Sequence, residues 1–425
     1  MKLYPHQEKL LTTLTENDTF GIFFECRVGK TLPTLLHITN LMLSGKAKNC
    51  LVIAPISALG AWKRDIETFT GKRREVANTI DLINYESVWR KPKYNTTYDI
   101  IVCDESHRIA HRTSKQTKFI HKLAKSSKYR YILSGTPIGQ GRMEDMYSQM
   151  EFLEKGFFGS WKNFVDNYCI VKRMKGTYVD IIVAYKHKDE LIAKISSKVA
   201  SLRLADVAKD LPEDLPDNLV IHAKPNQKIN RGVKDNYVAE YDLLIPNPAV
   251  RMMKFRQVAS GFIIDEQGKT HEVTNGKVKA FNELIDSILP ERIVVFAEFK
   301  HSIKTIMREL DKRGLNYLVL DGTQADKECW RRFQSNDNIT VMVCQYKSAN
   351  AGIDLWKAHH TIFFEPSVST TMTEQAKART RCVGMKQPRA YHWLLAESSI
   401  EKEIYKSLVN KQDFTLDIMS QWVIR

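Results

Sequence analysis

The chain has 425 residues, and 64 Lys+Arg against 49 Asp+Glu leave a formal net charge of +15. With 43% hydrophobic, 10% aromatic and 27% charged residues it reads as a soluble globular chain, which excludes a mainly disordered polymer. At roughly 150 residues per domain the length predicts two or three domains, and a pI near 9.3 makes a polyanion the first partner to consider, either nucleic acid or an anionic membrane surface.

The cysteines are Cys26, Cys50, Cys103, Cys169, Cys329, Cys344 and Cys382. They form no CxxC pair and are odd in number, which argues against a zinc ribbon and a disulfide framework. The opening residues Met1 to His6 hold no apolar signal core. No apolar run approaches the ~18 residues that span a bilayer. A reducing cytoplasm is therefore expected, with no membrane attachment.

In chain order, β-rich apolar runs predict strands at 20–24, 50–54, 79–83, 100–103 and 131–133. A second set follows at 292–296, 317–320, 339–343, 361–364 and 391–394. Such runs do not alternate, which suits parallel strands buried on both faces. Helical spacing between them, as in 115–127 and 302–313, completes an α/β pattern that occurs twice. From about Glu144 to Phe281 the chain reads as mostly helical. Leu211-Pro212-Glu213-Asp214-Leu215-Pro216 places the domain boundary near 212–220, because proline breaks helices. The expected domains are 1–215, with a helical elaboration from about 144, and 216–425, with one at about 226–285 and helices at its end.

Three strand ends of the first half carry chemistry. Glu25-Cys26-Arg27-Val28-Gly29-Lys30-Thr31 follows a strand and opens a helix, the context of a phosphate-binding loop. There Lys30 would reach the phosphates, backbone N–H groups at Gly29 would face them, and Thr31 would ligate Mg²⁺. The usual first glycine of that pattern falls on Phe24. Ile100-Ile101-Val102-Cys103-Asp104-Glu105-Ser106-His107 is an apolar strand ending in two carboxylates. Asp104 suits the metal, and Glu105 suits the orientation or deprotonation of water. Ser134-Gly135-Thr136-Pro137 follows the next strand, with hydroxyls placed to sense the phosphate site and relay its state.

Together these motifs resemble those of superfamily 2 helicases and, more narrowly, of Swi/Snf-type double-stranded DNA translocases. Leu3-Tyr4-Pro5-His6-Gln7 is similar to that family's N-terminal motif, which implies that Gln7 reads adenine. Ala54-Pro55 with Trp62, and Ile83-Asn84-Tyr85-Glu86, resemble the motifs that follow. So do Leu202-Arg203-Leu204-Ala205-Asp206-Val207 and Gln257-Val258-Ala259-Ser260-Gly261-Phe262 in the middle. In the second half, Leu320-Asp321-Gly322-Thr323 and Ser348-Ala349-Asn350-Ala351-Gly352-Ile353-Asp354-Leu355 are similar to family motifs, and Gly352 permits close approach of backbone to phosphate.

The last motif, Gln375-Ala376-Lys377-Ala378-Arg379-Thr380-Arg381-Cys382-Val383-Gly384, places Gln375 and Arg379 at the family's positions but Cys382 where the second arginine stands. A guanidinium there stabilises charge on the transferring phosphoryl group, and a thiol does not. Three readings stay open: Arg379 serves alone, Arg381 swings in, or hydrolysis is slow. Arg27 stands where the family has glycine, and either clamps a phosphate or points to solvent.

The resemblance covers nearly the whole chain and is closest to compact members of annealing-helicase, phage or bacterial type. It implies two tandem RecA-like parallel-sheet domains with helical insertions. ATP and Mg²⁺ would be used, with Arg379 entering from the second domain. The partner would be double-stranded or branched DNA, gripped chiefly through its phosphates. Candidate DNA-facing residues are Ser57, Trp62, Lys63, Asn84, Lys347 and Ser348, helped by basic runs such as Lys72-Arg73-Arg74 and Lys172-Arg173. The alternatives are a strand-separating DNA or RNA helicase and a nucleotide-gated DNA-binding protein with weak hydrolysis. A monomer is expected, in a prokaryotic or phage-infected cytoplasm, or in a nucleus if the source is eukaryotic.

Overall fold

The computed structural model describes residues 3–69, 74–173, 180–207, 212–222, 224–323, 326, 328–349, 353–382 and 385–420. The chain divides into two compact units, Met1–Lys209 with Gln412–Arg425 and Asp210–Lys411. Each is built on a parallel sheet of six strands, the α/β architecture expected of the sequence.

The first sheet uses β1 (Thr19–Phe24), β2 (Cys50–Ala54), β3 (Ile80–Asn84), β4 (Ile100–Asp104) and β5 (Tyr129–Leu133). Cys-Leu-Val-Ile-Ala in β2 and Ile-Ile-Val-Cys-Asp in β4 are buried at every position. That is why these strands run apolar without alternation: both faces of the sheet are covered. Helices cross between strands. In Lys115–Ala124, for example, Ser114 caps the amino end by accepting a hydrogen bond from Thr117 N. The strand order β3-β2-β4-β5-β1, with β1 paired to β5 and β5 to β4, places the ends of β1, β5 and β4 side by side.

The middle of the chain departs from the mostly helical reading. It carries an antiparallel hairpin, β6 (Cys169–Arg173) with β7 (Asp180–Tyr185). β8 (Val199–Leu202) completes the first sheet beside β1, and β9 (Asn218–His222) pairs with a late strand of the second sheet. Two small hairpins follow, β10 (Tyr237–Val238) with β11 (Leu243–Leu244) and β12 (Phe262–Ile264) with β13 (Thr270–Glu272). β9 is an edge strand whose Leu219 and Ile221 are exposed, so it lacks the covered apolar run that marks an interior strand. Because β9 starts at Asn218, it takes up the end of the 212–220 stretch read as linker.

The second sheet contains β14 (Ile293–Ala297), β15 (Tyr317–Leu320), β16 (Val341–Gln345), β17 (His360–Phe363) and β18 (Ala390–Ala396), in the order β15-β16-β14-β17-β18-β9. Its two faces bury separate apolar clusters, one around Phe296, Phe363 and Trp393 and the other around Val295, Ile362 and Leu394. Among the described residues no helix is long and apolar enough to cross a membrane.

Candidate nucleotide-binding and active site

β1 ends at Phe24, and the chain turns through residues 25–30 into the helix Thr31–Leu43. Arg27 and Gly29 in this turn are left-handed, with φ of 76° and 81°. Glycine adopts that conformation freely, whereas for Arg27 it costs about 1–2 kcal/mol. A Cβ at Gly29 would also lie 2.5 Å from Gln7 Nε2 and would have to displace that amide. The helix Pro5–Glu16 holds the turn by its backbone. Gln7 Nε2 donates to Gly29 O at 3.0 Å, Gln7 Oε1 accepts from Tyr4 N at 3.0 Å, and His6 Nε2 lies 2.9 Å from Val28 O.

β4 delivers the carboxylates. Glu105 is left-handed at φ 55°, a conformation fixed in part by its own N–H donating to Asp104 Oδ1 at 3.0 Å. Trp62 Nε1 donates to Asp104 Oδ2 at 2.8 Å, and Tyr85 OH donates to Asp104 O at 2.6 Å. Both carboxylates are buried. Burial pushes the Asp104 carboxyl above its usual range, and the charge of Glu105 adds to that. The Lys30 cation and the Trp62 hydrogen bond act in the opposite direction.

The turn after β5 closes onto both. Ser134 Oγ donates to Glu105 Oε2 at 3.4 Å and accepts from Thr136 N at 3.1 Å. His107 Nδ1 lies 3.3 Å from Ser134 Oγ and 3.4 Å from Glu105 Oε2. A Cβ on Gly135 would approach Cys26 Sγ to 3.0 Å, so only glycine lets this turn lie against the phosphate turn without displacing it. Behind them, Gln149 accepts from Ser106 Oγ at 2.7 Å and donates to Pro137 O at 2.8 Å, tying the two turns to one helix.

Lys30, Thr31, Asp104, Glu105, Ser134, Gly135 and Thr136 therefore meet at the carboxyl ends of adjacent parallel strands, where ligands of open α/β sheets bind. Other sequence candidates fall elsewhere. Trp62 is a correction: it is buried and bonded to Asp104, so it positions a carboxylate and offers no face to DNA. Asn84 spends its Oδ1 on capping the helix Tyr85–Val88 through Ser87 N at 2.8 Å. Ser57 and Lys63 are exposed on the helix Ile56–Phe69, and exposed Lys347 and half-buried Ser348 lie in the turn after β16. Gln375 and Arg379 lie one turn apart on the helix Thr370–Thr380, both buried. Arg381 is a second correction, because an ion pair with Asp214 and a 3.2 Å hydrogen bond to Tyr391 OH hold its guanidinium in a structural contact. Gly352, Lys72 and Arg73 lie outside the described residues.

Sequence reasoning missed His6, Glu25 and His107 as parts of the site. Glu25 Oε2 accepts from Leu204 N at 2.8 Å and ties the phosphate turn to the end of β8. All three had a local signal: His6 stands beside Gln7, Glu25 opens the phosphate-turn motif, and His107 follows the two carboxylates in the motif Asp104-Glu105-Ser106-His107.

Parallel sheets in tandem, the first bearing a phosphate turn against paired carboxylates, are the core of an ATPase of the helicase class. Family models match accordingly: the SNF2-related domain at residues 76–228, the helicase conserved C-terminal domain at 276–384, and the type III restriction enzyme res subunit at 1–139. The chain thus carries an SNF2-related domain followed by a helicase conserved C-terminal domain and is homologous to SWI/SNF-related helicases.

Among curated proteins, a SWI/SNF-related matrix-associated actin-dependent regulator of chromatin subfamily A-like protein 1 homolog of Caenorhabditis elegans is 25% identical over 99% of this chain and 62% of its own length. An ATP-dependent helicase of Mycoplasma pneumoniae, otherwise uncharacterised, is 23% identical over 95% of this chain and 41% of its own length. The chain thus spans less than two thirds of the length of these relatives. A solved structure of the Sulfolobus solfataricus SWI2/SNF2 ATPase core in complex with dsDNA is 22% identical, with a TM-score of 0.46, over 99% of this chain and 93% of that one.

Proposed function

We propose that this chain is an ATP-driven translocase of double-stranded or branched DNA. The observation that carries the reading is the contact of three strand-end turns. Lys30 acts electrostatically on Asp104, Ser134 bonds Glu105, and Gly135 lies on Cys26 of the phosphate turn. Such an arrangement couples bound phosphate to the conformation of two neighbouring loops.

Each residue then has a task. Gln7 keeps one lone pair and one N–H beyond its bonds to Tyr4 and Gly29, a donor–acceptor edge that suits adenine. Lys30 and the N–H groups at the start of the helix Thr31–Leu43 hold the phosphates. The donor set of Asp104 carboxylate and Thr31 hydroxyl is hard oxygen, which fits Mg²⁺. When bound, that ion would supply charge neutralisation on the phosphates. Glu105 accepts the proton of the attacking water, and Ser134 with Thr136 passes the state of Glu105 to the turn after β5. Arg379 stabilises charge on the transferring phosphoryl group. The net charge of +15 supports a nucleic-acid partner, and contacts to phosphates give low sequence specificity with strong salt dependence.

One observation favours a second reading, nucleotide-gated DNA binding with slow hydrolysis. Arg381 is held by Asp214, and Cys382 carries no guanidinium, which leaves Arg379 alone in that motif. Steady-state ATP hydrolysis with and without duplex DNA separates the two. Strong stimulation, lost in Lys30→Ala, supports the motor. Nucleotide-dependent DNA affinity with slow, unstimulated turnover supports the gated binder.

A further inference from the structure

The second unit contains a cavity of about 800 Å³ that the proposed nucleotide chemistry leaves unused. Arg292, Trp356, Lys357, Cys382, Lys386 and Arg389 line it. Arg292 stands just before β14, Trp356 and Lys357 before β17, and Arg389 before β18. The cavity therefore opens at the amino ends of the strands, the opposite end of the sheet from the turn after β16.

Its charge is unbalanced. Arg292 and Lys357 share one carboxylate, Asp337, each at 2.8 Å, and that carboxylate is 81% exposed. His359 is matched by Glu291 at 2.8 Å. Among the described residues, no carboxylate lies within ion-pair distance of Lys386 or Arg389. Arg389 is 3% exposed. Its Nε donates to Thr380 O at 2.8 Å and its Nη2 to Trp356 O at 2.7 Å, while Nη1 is buried without a partner. Arg292 Nε is likewise buried and unbonded. A guanidinium in the cavity wall that is fixed by two carbonyls, with a third nitrogen buried and unbonded, is short of an acceptor.

We infer that this cavity is an anion site that takes a phosphate group, with Lys386 and Arg389 supplying its main uncompensated charge. Orthophosphate and the phosphate end of a nucleotide share that chemistry, and the volume admits either. Exposed Trp356 adds an aromatic wall on which a base can stack.

The test uses two thiols as reporters. Cys382 lines the cavity and Cys26 sits in the phosphate turn of the first unit, and both are half-buried, whereas the other cysteines are buried. Alkylation by uncharged iodoacetamide is followed by mass spectrometry of each peptide. The arms contain orthophosphate, pyrophosphate or ATP, with sodium chloride at matched ionic strength as the control. At ten times its Kd the phosphate ligand slows Cys382 alkylation about tenfold. Lys386→Glu, an exposed position that leaves the melting temperature unchanged, removes that protection. Lys30→Ala, which disables the first unit's site, keeps it. Protection by ATP in Lys30→Ala assigns the cavity to nucleotides, and protection by orthophosphate or pyrophosphate alone assigns it to free phosphate. Equal protection by chloride, an unchanged Cys382 rate in every arm, or full protection in Lys386→Glu overturns the inference.

Discussion

Trp62→Phe isolates the hydrogen bond that holds the metal-facing carboxylate. The indole donates to Asp104 Oδ2 at 2.8 Å, and phenylalanine keeps most of the buried apolar volume while removing the donor. The bond favours the charged form of Asp104 and so lowers its pKa against burial and the neighbouring Glu105, which raise it. A hydrogen bond to a charged group contributes about 1.5–3 kcal/mol. Its loss therefore raises the Asp104 pKa further. Hydrolysis requires the ionised carboxylate, so activity is lost as pH falls through that pKa. The acid limb of the kcat profile therefore moves to higher pH, while the plateau at high pH recovers most of the wild-type rate. The assay is phosphate release from pH 5 to 9 with saturating ATP and Mg²⁺, with thermal melts to check folding. An acid limb that stays in place in a folded variant would falsify the assignment of Asp104 as the carboxylate that must be charged.

The remaining expectations address other parts of the site. Glu105→Gln should lower kcat by about 10²–10⁴ while nucleotide affinity by calorimetry is kept; a matching loss of affinity would mean that Glu105 builds the site and does not act on water. Gly29→Ala places a Cβ 2.5 Å from Gln7 Nε2 at a φ of 81°, so nucleotide affinity should fall tenfold or more, since about 1.4 kcal/mol of strain suffices; unchanged binding speaks against this turn as the phosphate cradle. Arg379→Ala should cost about 10³ in turnover. Arg381→Ala should instead lower stability by about 1–3 kcal/mol through loss of the Asp214 pair, with turnover kept. The reverse pattern in melts and kinetics would return Arg381 to the reaction.

How much of this was legible depends on the distance over which each signal acts. β2 matches its apolar run residue for residue, because a strand covered on both faces must be apolar throughout, and β15 matches its own although it is a half-buried edge strand. β8 was missed because Ser201 interrupts its short apolar run, and β9 because it is an edge strand whose Leu219 and Ile221 are exposed. The phosphate turn, the carboxylates and the Ser-Gly-Thr-Pro turn were legible as local motifs that end strands. Their second layer was not. Trp62 looked like a DNA contact because nothing local reveals a partner 42 residues away, and Arg381 looked available because Asp214 lies 167 residues earlier. The phosphate turn shows a middle case. Phe24 replaces the usual first glycine yet simply ends β1, buried, while the left-handed positions fall on Arg27 and Gly29.

Translocation itself is tested most directly by displacement of a third strand from a triplex placed at the end of a long duplex. A motor that tracks duplex DNA displaces the third strand only with hydrolysable ATP, with a lag that grows with the length of duplex between entry site and triplex. Lys30→Ala should abolish displacement, and the two strands of the duplex should stay paired. Absence of displacement by an enzyme that hydrolyses ATP, or displacement that needs no hydrolysis, would contradict a duplex translocase.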